Sequence, residues 1–195
     1  MLTTLDMIND MLAASGTSPV TADDEQHPSY VKAWNKLRLV SNSVQNLGLW
    51  FNTNYVELLP NTAGEVLVPA GTLHVDPVDP NKNFVKRGNK LWNQDDNSFV
   101  IGGPVKVKLV RLLDFEEIPE PALQYILAKA RYEFYMDEDG TEPKLGRYER
   151  NKDIEWTTLY REHLRNRDTN YFNGPNAALS LRRGIGRRRL PGPQE

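Results

Sequence analysis

Cysteine is absent from this chain of 195 residues, and there are only three histidines. Without thiols there are no disulfides, thiolate nucleophiles, iron–sulfur clusters or cysteine-ligated zinc sites. Only His27, His74 and His163 remain as imidazole bases or nitrogen ligands for a metal. The composition therefore favours a binding or structural protein over an enzyme, and we expect no catalytic residues, no metal site and no cofactor.

Long hydrophobic runs are also missing. No stretch approaches the roughly 20 consecutive apolar residues that a membrane span requires, and the first residues lack the basic segment of a secretion signal. These absences predict a protein that is made in the cytoplasm and does not enter a membrane. The length is sufficient for one ordinary domain or two small ones with a hydrophobic core.

Net charge is small but unevenly distributed. The formal value of −2 argues against nucleic-acid binding by the chain as a whole. Residues 114–142, however, carry nine acidic side chains against Lys129 and Arg131, whereas the last fourteen residues carry five arginines against Glu195. The chain therefore ends in a basic arm.

Helical periodicity occurs near both ends of the chain. The pattern predicts a short N-terminal helix ending near Gly16 and a second helix from Pro28 to Gly48. A third predicted helix opens at Pro121, and a fourth follows a connection over residues 137–143. Each of the last three helices is expected to bury one apolar stripe. On the second helix the stripe is Tyr30, Trp34, Leu37, Val44 and Leu47. On the third it is Leu123, Ile126, Leu127, Ala130 and Phe134, and on the fourth it is Trp156, Leu159, Tyr160, His163 and Leu164.

Between these helices the chain consists of short β-rich runs separated by glycine and proline, a pattern typical of antiparallel sheets. The clearest alternation is Val105, Val107 and Leu109 against Lys106 and Lys108, which predicts a strand with one buried face. The seven predicted strands cover residues 51–58, 65–68, 73–78, 83–85, 90–92, 98–101 and 105–112.

The expected fold class is α+β. Because the first two helices cannot bury their apolar stripes alone, we expect them to pack against the last two. The predicted domains are a helical bundle over residues 1–49 and 113–172, an inserted small antiparallel β sandwich or barrel over residues 50–112, and a flexible basic arm over residues 173–195.

A cluster of carboxylates admits an interpretation as a catalytic site. Asp114, Glu116, Glu117 and Glu120 include enough acids for the paired carboxyl groups of a glycosidase. The same residues stand directly before the helix that opens at Pro121, where acidic groups complement the helix dipole. The second interpretation is favoured, but a glycan hydrolase of the bacterial envelope remains an alternative.

Other motifs carry less weight. Residues 137–140 fail as a calcium loop because the first and twelfth ligand positions would fall on Tyr135 and Gly146. His74 and Asp76 share a strand face but lack a third metal ligand, and His163 is expected to be a hydrogen-bonded core or rim histidine. The segment Gly184-Ile185-Gly186 follows no predicted strand, so nucleotide binding has no support.

The arginine arm admits three interpretations. It can neutralise phosphates as part of a nucleic-acid-binding module, although no aromatic residues are interleaved to stack on bases. It can serve only to increase solubility. We favour the third, docking on an acidic protein partner, because guanidinium groups pair bidentately with carboxylates.

Several stretches resemble a known family, in the family's own order. They are Ile8-Asn9-Asp10-Met11-Leu12 with Gly16 and Pro19-Val20, Gly48-Leu49-Trp50-Phe51-Asn52, Leu58-Leu59-Pro60, Lys90-Leu91-Trp92-Asn93, and Arg111-Leu112-Leu113-Asp114-Phe115-Glu116-Glu117-Ile118-Pro119 followed by Lys129-Ala130 and Phe134. On these residues the chain resembles tail tubular protein A, the adaptor of short-tailed bacteriophages. Leu49 departs from the family, which has tryptophan directly after the glycine, and beyond Asp137 only helical character is shared.

The resemblance implies a non-enzymatic subunit of the virion tail. It implies a homo-oligomeric ring, dodecameric in the family, that joins the capsid portal protein to the tail nozzle (tail tubular protein B) and lets DNA pass through its lumen. It also implies helices facing the portal and β loops facing the nozzle. We expect the portal contact at Arg182, Arg183, Arg187, Arg188 and Arg189, and the nozzle contact at Asp79, Pro80, Asn81, Asn93 and Asp95.

Overall fold

The computed structural model describes residues 2–21, 27–141 and 144–171 of the chain. These residues form an α+β structure, as the sequence predicts. The described helices are α1 (Thr4–Ala14), α2 (Pro28–Gln45), α3 (Glu120–Glu138) and α4 (Lys144–Tyr171), with a short 3-10 helix at Phe115–Glu117. The described strands are β1 (Thr53–Leu58), β2 (Thr72–Pro77), β3 (Phe84–Arg87), β4 (Lys90–Asn93) and β5 (Val105–Arg111).

Local signals explain where the first helix begins and ends. Thr3 and Asp6 form a capping box, in which the Thr3 hydroxyl oxygen accepts from the Asp6 N–H at 3.1 Å and the Asp6 carboxylate accepts from the Thr3 N–H at 3.0 Å. The hydrogen bonds from Thr3 lower the pKa of the Asp6 carboxyl. Gly16 then adopts a φ of +77°, which ends the helix in the conformation that glycine favours.

The four helices pack around one hydrophobic core. Helix α3 lies at its centre and contacts α1, α2 and α4. The buried members of this core include Met7, Ile8, Met11, Leu12, Leu37, Val44, Leu123, Ile126, Leu127, Phe134 and Leu159. The predicted burial of Leu123, Ile126 and Leu127 is therefore confirmed, because the 3.6-residue period places them on the face that meets α2.

Strand β5 is the central strand of a three-stranded antiparallel sheet with the order β1-β5-β2. Thr53 pairs with Val110 at one end of β1 and Leu58 with Val105 at the other. The predicted alternation along β5 is confirmed, since Val105, Val107 and Leu109 are buried. Strands β3 and β4 form a separate hairpin across Gly88-Asn89.

The two sheets share a second hydrophobic core, distinct from that of the helices. It contains Val66, Val68, Val75, Phe84, Leu91, Ile101, Val105, Val107 and Leu109. Residues from both sheets therefore contribute to one apolar interior.

The prediction of a strand is wrong for two of the seven runs. Residues 65–68 and 98–101 make only isolated bridges, such as Glu65 with Val100 and Leu67 with Lys90. Pro69 and the Gly102-Gly103-Pro104 sequence interrupt these short runs, and proline has no N–H to extend a ladder. Helix α3 also continues to Glu138, beyond the predicted start of the connection at residue 137.

Replacing Ile126 by alanine tests the helical core. Ile126 is fully buried, so Ile126→Ala should lower the free energy of unfolding in urea by about 2–5 kcal/mol through cavity formation. The matched control is Ile154→Ala, because Ile154 on α4 is 62% exposed and should change stability by no more than about 0.5 kcal/mol. Equal effects of the two changes would contradict the described packing.

Candidate assembly surfaces

Two buried amides join the helices to the β segment. Gln45, the last residue of α2, donates from Nε2 to the Leu113 carbonyl oxygen at 3.0 Å and accepts from the Leu113 N–H at Oε1 at 2.7 Å. Asn52 donates from Nδ2 to the carbonyl oxygens of Gln45 and Arg111, at 2.7 and 2.8 Å. The Arg111 N–H returns a bond of 2.8 Å to the Asn52 carbonyl oxygen. These bonds, which we call the junction clasp, bring together the two points where the chain enters and leaves the β segment.

Sequence patterns alone do not reveal the clasp. Asn52 stands out only as the end of the Gly48-Leu49-Trp50-Phe51-Asn52 stretch, and Gln45 is not among the predicted site residues. A signal for Gln45 is nevertheless present, since Ser41 and Gln45 place two polar side chains four residues apart on the face of α2 that packs on the core. A buried amide on an apolar face requires hydrogen-bond partners, and the chain supplies them from a segment 68 residues away.

Helix α1 is fixed by two polar contacts. The Asn9 side chain donates to the Val20 carbonyl oxygen at 2.9 Å and accepts from the Val20 N–H at 2.8 Å. Asp10 pairs with Arg131 of α3 at 2.8 Å, and the same guanidinium group bonds to Asn151 of α4. The Asn-Asp pair of the N-terminal motif therefore orders the chain after α1 and connects three helices.

A groove of about 670 Å³ opens beside the junction clasp. Its walls come from the end of α2, from β1 and β5, and from the end of α4; the lining residues include Leu47, Trp50, Thr53, Tyr55, Lys108, His163, Leu164 and Arg167. Leu47 and Leu164 were expected in the helical core, but they are 58% and 41% exposed. That expectation is wrong because Leu47 follows Gln45, the last residue of α2, and Leu164 of α4 lines the groove instead of the helical core.

His163 lies at the back of this groove. It is only 9% exposed, and its Nδ1 atom is buried with no hydrogen-bond partner among the described residues. The prediction of a buried histidine is confirmed, but the prediction that it is fully hydrogen-bonded is wrong for Nδ1. Burial lowers the pKa of the imidazole, and the nearby positive charges of Arg167 on α4 and Lys108 on β5 lower that pKa further. His163 is therefore neutral near pH 7.

A row of aromatic rings leads from the helical core to the groove. Tyr125 of α3 lies 5.0 Å from Trp156, and Trp156 stacks on Tyr160 at 5.8 Å. Tyr160 and Trp50 each lie 6.2 Å from the His163 ring. Tyr160 was expected to be buried on α4 but is 46% exposed, because this row extends to the molecular surface.

The predicted nozzle-contact residues lie on loops of the β segment that are tied together. Asp79 accepts from the Asn81 N–H at 3.0 Å within one turn, and Asn93 accepts from the Asp95 N–H at 3.0 Å within the other. The Asn83 side chain donates to Asp95 at 2.7 Å and thus bridges the two turns. Pro80, within the first turn, is exposed. The structure therefore gathers these residues at one polar end of the β segment.

The predicted portal contacts Arg182, Arg183, Arg187, Arg188 and Arg189 lie outside the described residues, as does the Gly184-Ile185-Gly186 segment.

The acidic residues at the end of α3 pair with lysines of α2: Glu138 with Lys32 at 2.9 Å and Asp137 with Lys36 at 2.7 Å. Gly140 follows with a φ of +64°. These two carboxylates therefore connect α3 to α2.

The residues that the sequence offers for catalysis or metal binding are exposed. Glu116 and Glu117 lie on the short 3-10 helix and are exposed, and Asp114 and Glu120 flank it, also exposed. His74 and Asp76 contact each other at 2.8 Å on the surface. Within the described ranges, no three histidine or acidic side chains are placed to hold a metal ion. Nor does any described helix have the length and apolar character to cross a membrane.

Comparison with known proteins decides the family. The family description "Tail tubular protein" matches residues 5–169, which include both halves of the helical core and the β segment between them. The chain belongs to the tail tubular protein family. Tail tubular protein A of Klebsiella phage KP34 is 29% identical over 162 residues, which cover 83% of this chain and 87% of that relative.

Membership of the family makes the protein a structural component of a phage tail, and it confirms the resemblance that the short stretches indicated. The structure now gives those stretches physical roles. Asn9 fixes Val20 after α1, and Asn52 belongs to the junction clasp. Gly48 has a φ of +67°, and a Cβ atom there would lie 3.0 Å from Val110. Asn52 and Gly48 therefore position the backbone where helices meet strands, and Asn9 positions it between α1 and α2.

The junction clasp can be tested at Gln45. Replacing it by methionine, which has a similar length, leaves the Leu113 N–H and carbonyl groups without their partner. Gln45→Met should therefore lower the free energy of unfolding in urea by about 1–3 kcal/mol for each backbone group left unpaired. Gln124→Met, at a position where the amide bonds only to Glu120 on the surface, should stay within about 0.5 kcal/mol. A loss of that small size at Gln45 would contradict the role assigned to the clasp.

His163 should make stability sensitive to acid. Because its pKa is lowered in the folded protein, the unfolded chain binds the proton more readily, and the stabilisation is present above the ordinary value of 6.5 and is lost as the pH falls below it. Urea unfolding followed from about pH 8 to about pH 5 should show this loss in the wild type and a shallower one in His163→Asn. Identical slopes in the two proteins would contradict the assignment to His163.

Proposed function

We propose that this protein is the adaptor of a short phage tail, a ring that joins the capsid portal to the tail nozzle and forms part of the conduit for genome ejection. The family match over residues 5–169 carries the proposal. In this role the protein is made in the host cytoplasm and resides in the virion tail, and its work is binding and assembly rather than catalysis.

In this proposal, each of the two parts with its own hydrophobic core binds a different partner. The helical part, residues 1–49 and 113–172, faces the portal, and the inserted β part, residues 50–112, faces the nozzle. The linked turns at Asp79–Asn81 and Asn93–Asp95 support this orientation, because they present hydrogen-bonding side chains at one end of the β part. A polar, ordered pair of loops is suited to a protein interface that must form in water.

Ring formation requires two different side surfaces that meet in a closed, head-to-tail arrangement. The acidic stretch of residues 114–142 and the arginine-rich arm provide opposite charges for contacts between neighbouring subunits or with the portal. We propose a dodecamer, the number that the family resemblance implies. The small net charge of −2 also suits a lumen through which DNA passes, since a strongly basic wall would retain the phosphates.

The alternatives make different predictions. A glycan hydrolase would need two of the carboxylates at Asp114, Glu116, Glu117 and Glu120 to face a sugar cleft, but these side chains are exposed and line none of the described grooves. A nucleic-acid-binding module would use the arm, and its binding would weaken steeply with salt.

Two sets of substitutions should separate the two proposed interfaces. In the first, Arg182, Arg183, Arg187, Arg188 and Arg189 are all replaced by glutamine. In the second, Asp79, Asn81 and Asp95 are replaced by alanine. Binding to purified portal rings and to purified nozzle protein is measured by co-sedimentation, and the mass of the assemblies by light scattering. The arginine variant should lose portal binding and keep nozzle binding, and the loop variant should do the reverse.

Each variant is thus the control for the other, since the unaffected interface reports a correctly folded subunit. A wild-type protein that stays monomeric in the presence of portal rings would overturn the adaptor proposal. An arginine variant that still joins the portal but loses salt-sensitive binding to DNA would assign the arm to nucleic acid instead.

A further inference from the structure

The groove beside the junction clasp carries positive charge that its own walls do not balance. Among the described residues that line it, Lys108 and Arg167 are basic and none is Asp or Glu. Lys108 lies 3.7 Å from Asp76 on the neighbouring strand, whereas Arg167 makes no ion pair with a described residue. The same two cations are the charges that act on His163 at the back of the groove. The groove therefore favours an anionic occupant.

The rest of the groove is suited to a protein segment. Leu47, Tyr55 and Leu164 expose apolar surface along it, and Tyr55 is 73% exposed. The buried atoms Nδ1 of His163 and Oγ1 of Thr53 have no hydrogen-bond partner among the described residues, although buried polar atoms nearly always have one. Strand β1, which forms one wall, pairs with β5 on one side and with no described strand on the other. An occupant therefore needs apolar side chains and hydrogen-bonding groups as well as negative charge.

The chain carries such a segment on its own surface, at residues 114–117, which we call the acidic turn. Asp114, Glu116 and Glu117 are exposed, and none of them forms an ion pair with a described residue. They do not cap a helix either, because the Asp114 side chain makes no capping bond and the N-cap of α3 is Pro119. The packing of this subunit therefore leaves these carboxylates without a partner.

The acidic turn lies outside the groove of its own subunit. The ring of Phe115 packs 5.9 Å from that of Trp34 and holds the turn against α2. Just before the turn, the Leu112 N–H bonds to the Gly71 carbonyl oxygen at 2.7 Å, next to β2. The groove wall is β1, on the opposite side of β5, and no residue of the turn is among the described residues that line the groove. A contact between turn and groove therefore joins two copies of the chain.

We propose that the acidic turn of one subunit docks in the groove of the next. The carboxylates of the turn then lie beside Arg167 and Lys108, and guanidinium groups pair strongly with carboxylates. Leu112, which is 36% exposed beside the turn, covers part of the apolar rim, and the His163 imidazole gains a hydrogen-bond partner.

This contact is heterologous, because the two surfaces that meet are different. Repeated head to tail, a heterologous contact closes into a ring when its rotation permits. The inference rests on the proposed ring and deepens it by naming the two surfaces that meet. It also leaves the arginines of residues 182–189 free for the portal, since the positive groove disfavours them.

The absence of cysteine from the chain allows a direct test by crosslinking. Full-length Glu117→Cys is mixed with full-length Leu164→Cys that carries a size tag, with and without purified portal rings. After oxidation, the mixed dimer is quantified by non-reducing electrophoresis. The control replaces the second protein by tagged Ile154→Cys, because Ile154 is 62% exposed on the same helix but does not line the groove. The groove pair should form about tenfold more mixed dimer than the control, because docking raises the effective concentration of the two thiols.

Charge reversal gives a second measurement that does not depend on thiols. Arg167→Glu alone, and Glu116→Arg with Glu117→Arg, should each raise the concentration needed for half-maximal assembly by about tenfold or more, because like charges then face each other. All three changes in one chain should restore assembly, since the reversed groove then matches the reversed turn. Assembly is followed by sedimentation, alone and on portal rings, and circular dichroism verifies that each variant is folded.

The outcomes are distinguishable. If wild-type rings form but the crosslink does not exceed its control, or the triple change fails to restore assembly, this contact is wrong and the ring proposal stands. If the groove cysteine links to portal or nozzle protein instead, that protein supplies the occupant and the assignment to a second copy is wrong. A wild-type protein that stays monomeric in the presence of portal rings overturns the ring proposal, and this inference with it.

Discussion

The junction clasp is the constraint on which the rest of this structure depends. The protein has two hydrophobic cores, one among the helices and one between the two small sheets. The chain passes between them twice, and both passages are held by the side chains of Gln45 and Asn52. Because these amides are buried and bond to backbone groups, a different orientation of the β segment would leave several polar groups without partners, at a cost of about 1–3 kcal/mol each.

This way of joining two cores suits the proposed adaptor role. In that role the protein would hold two partners in a fixed geometry, so its two parts cannot rotate freely. Hydrogen bonds impose direction, which apolar contacts alone do not. The contact of Gly48 with Val110, where a Cβ would approach to 3.0 Å, adds a steric restriction at the same place. The two kinds of restriction together specify how the sheet stands on the helices.

The same junction creates the groove and the unusual environment of His163. At the groove, Leu47, which follows α2, and Leu164 of α4 expose their apolar side chains. His163 stays buried there beside Arg167 and Lys108, which lowers its pKa. The groove and the buried histidine therefore both lie where the β segment joins the helices.

Much of the fold is determined by the sequence itself, because the signals are local. The helix starts at Pro28 and beside Pro121, the stop at Gly16 and the alternation along β5 all depend on residues close together in the chain. The absence of cysteine likewise excludes whole classes of site by composition alone. The family, too, is evident from short stretches, although not the reason why Asn9 and Asn52 belong to them.

Only the tertiary structure decided what depends on residues far apart in the chain. Gln45 meets Leu113 across 68 positions, and no local pattern specifies such a pair. The burial of apolar stripes was predicted correctly where helices cover one another and wrongly at Leu47, Tyr160 and Leu164, because helical periodicity shows which face is apolar but not how far a neighbour extends along it. For the same reason the groove, its open strand edge and the unpartnered nitrogen of His163 became visible only once helices and sheet were placed together.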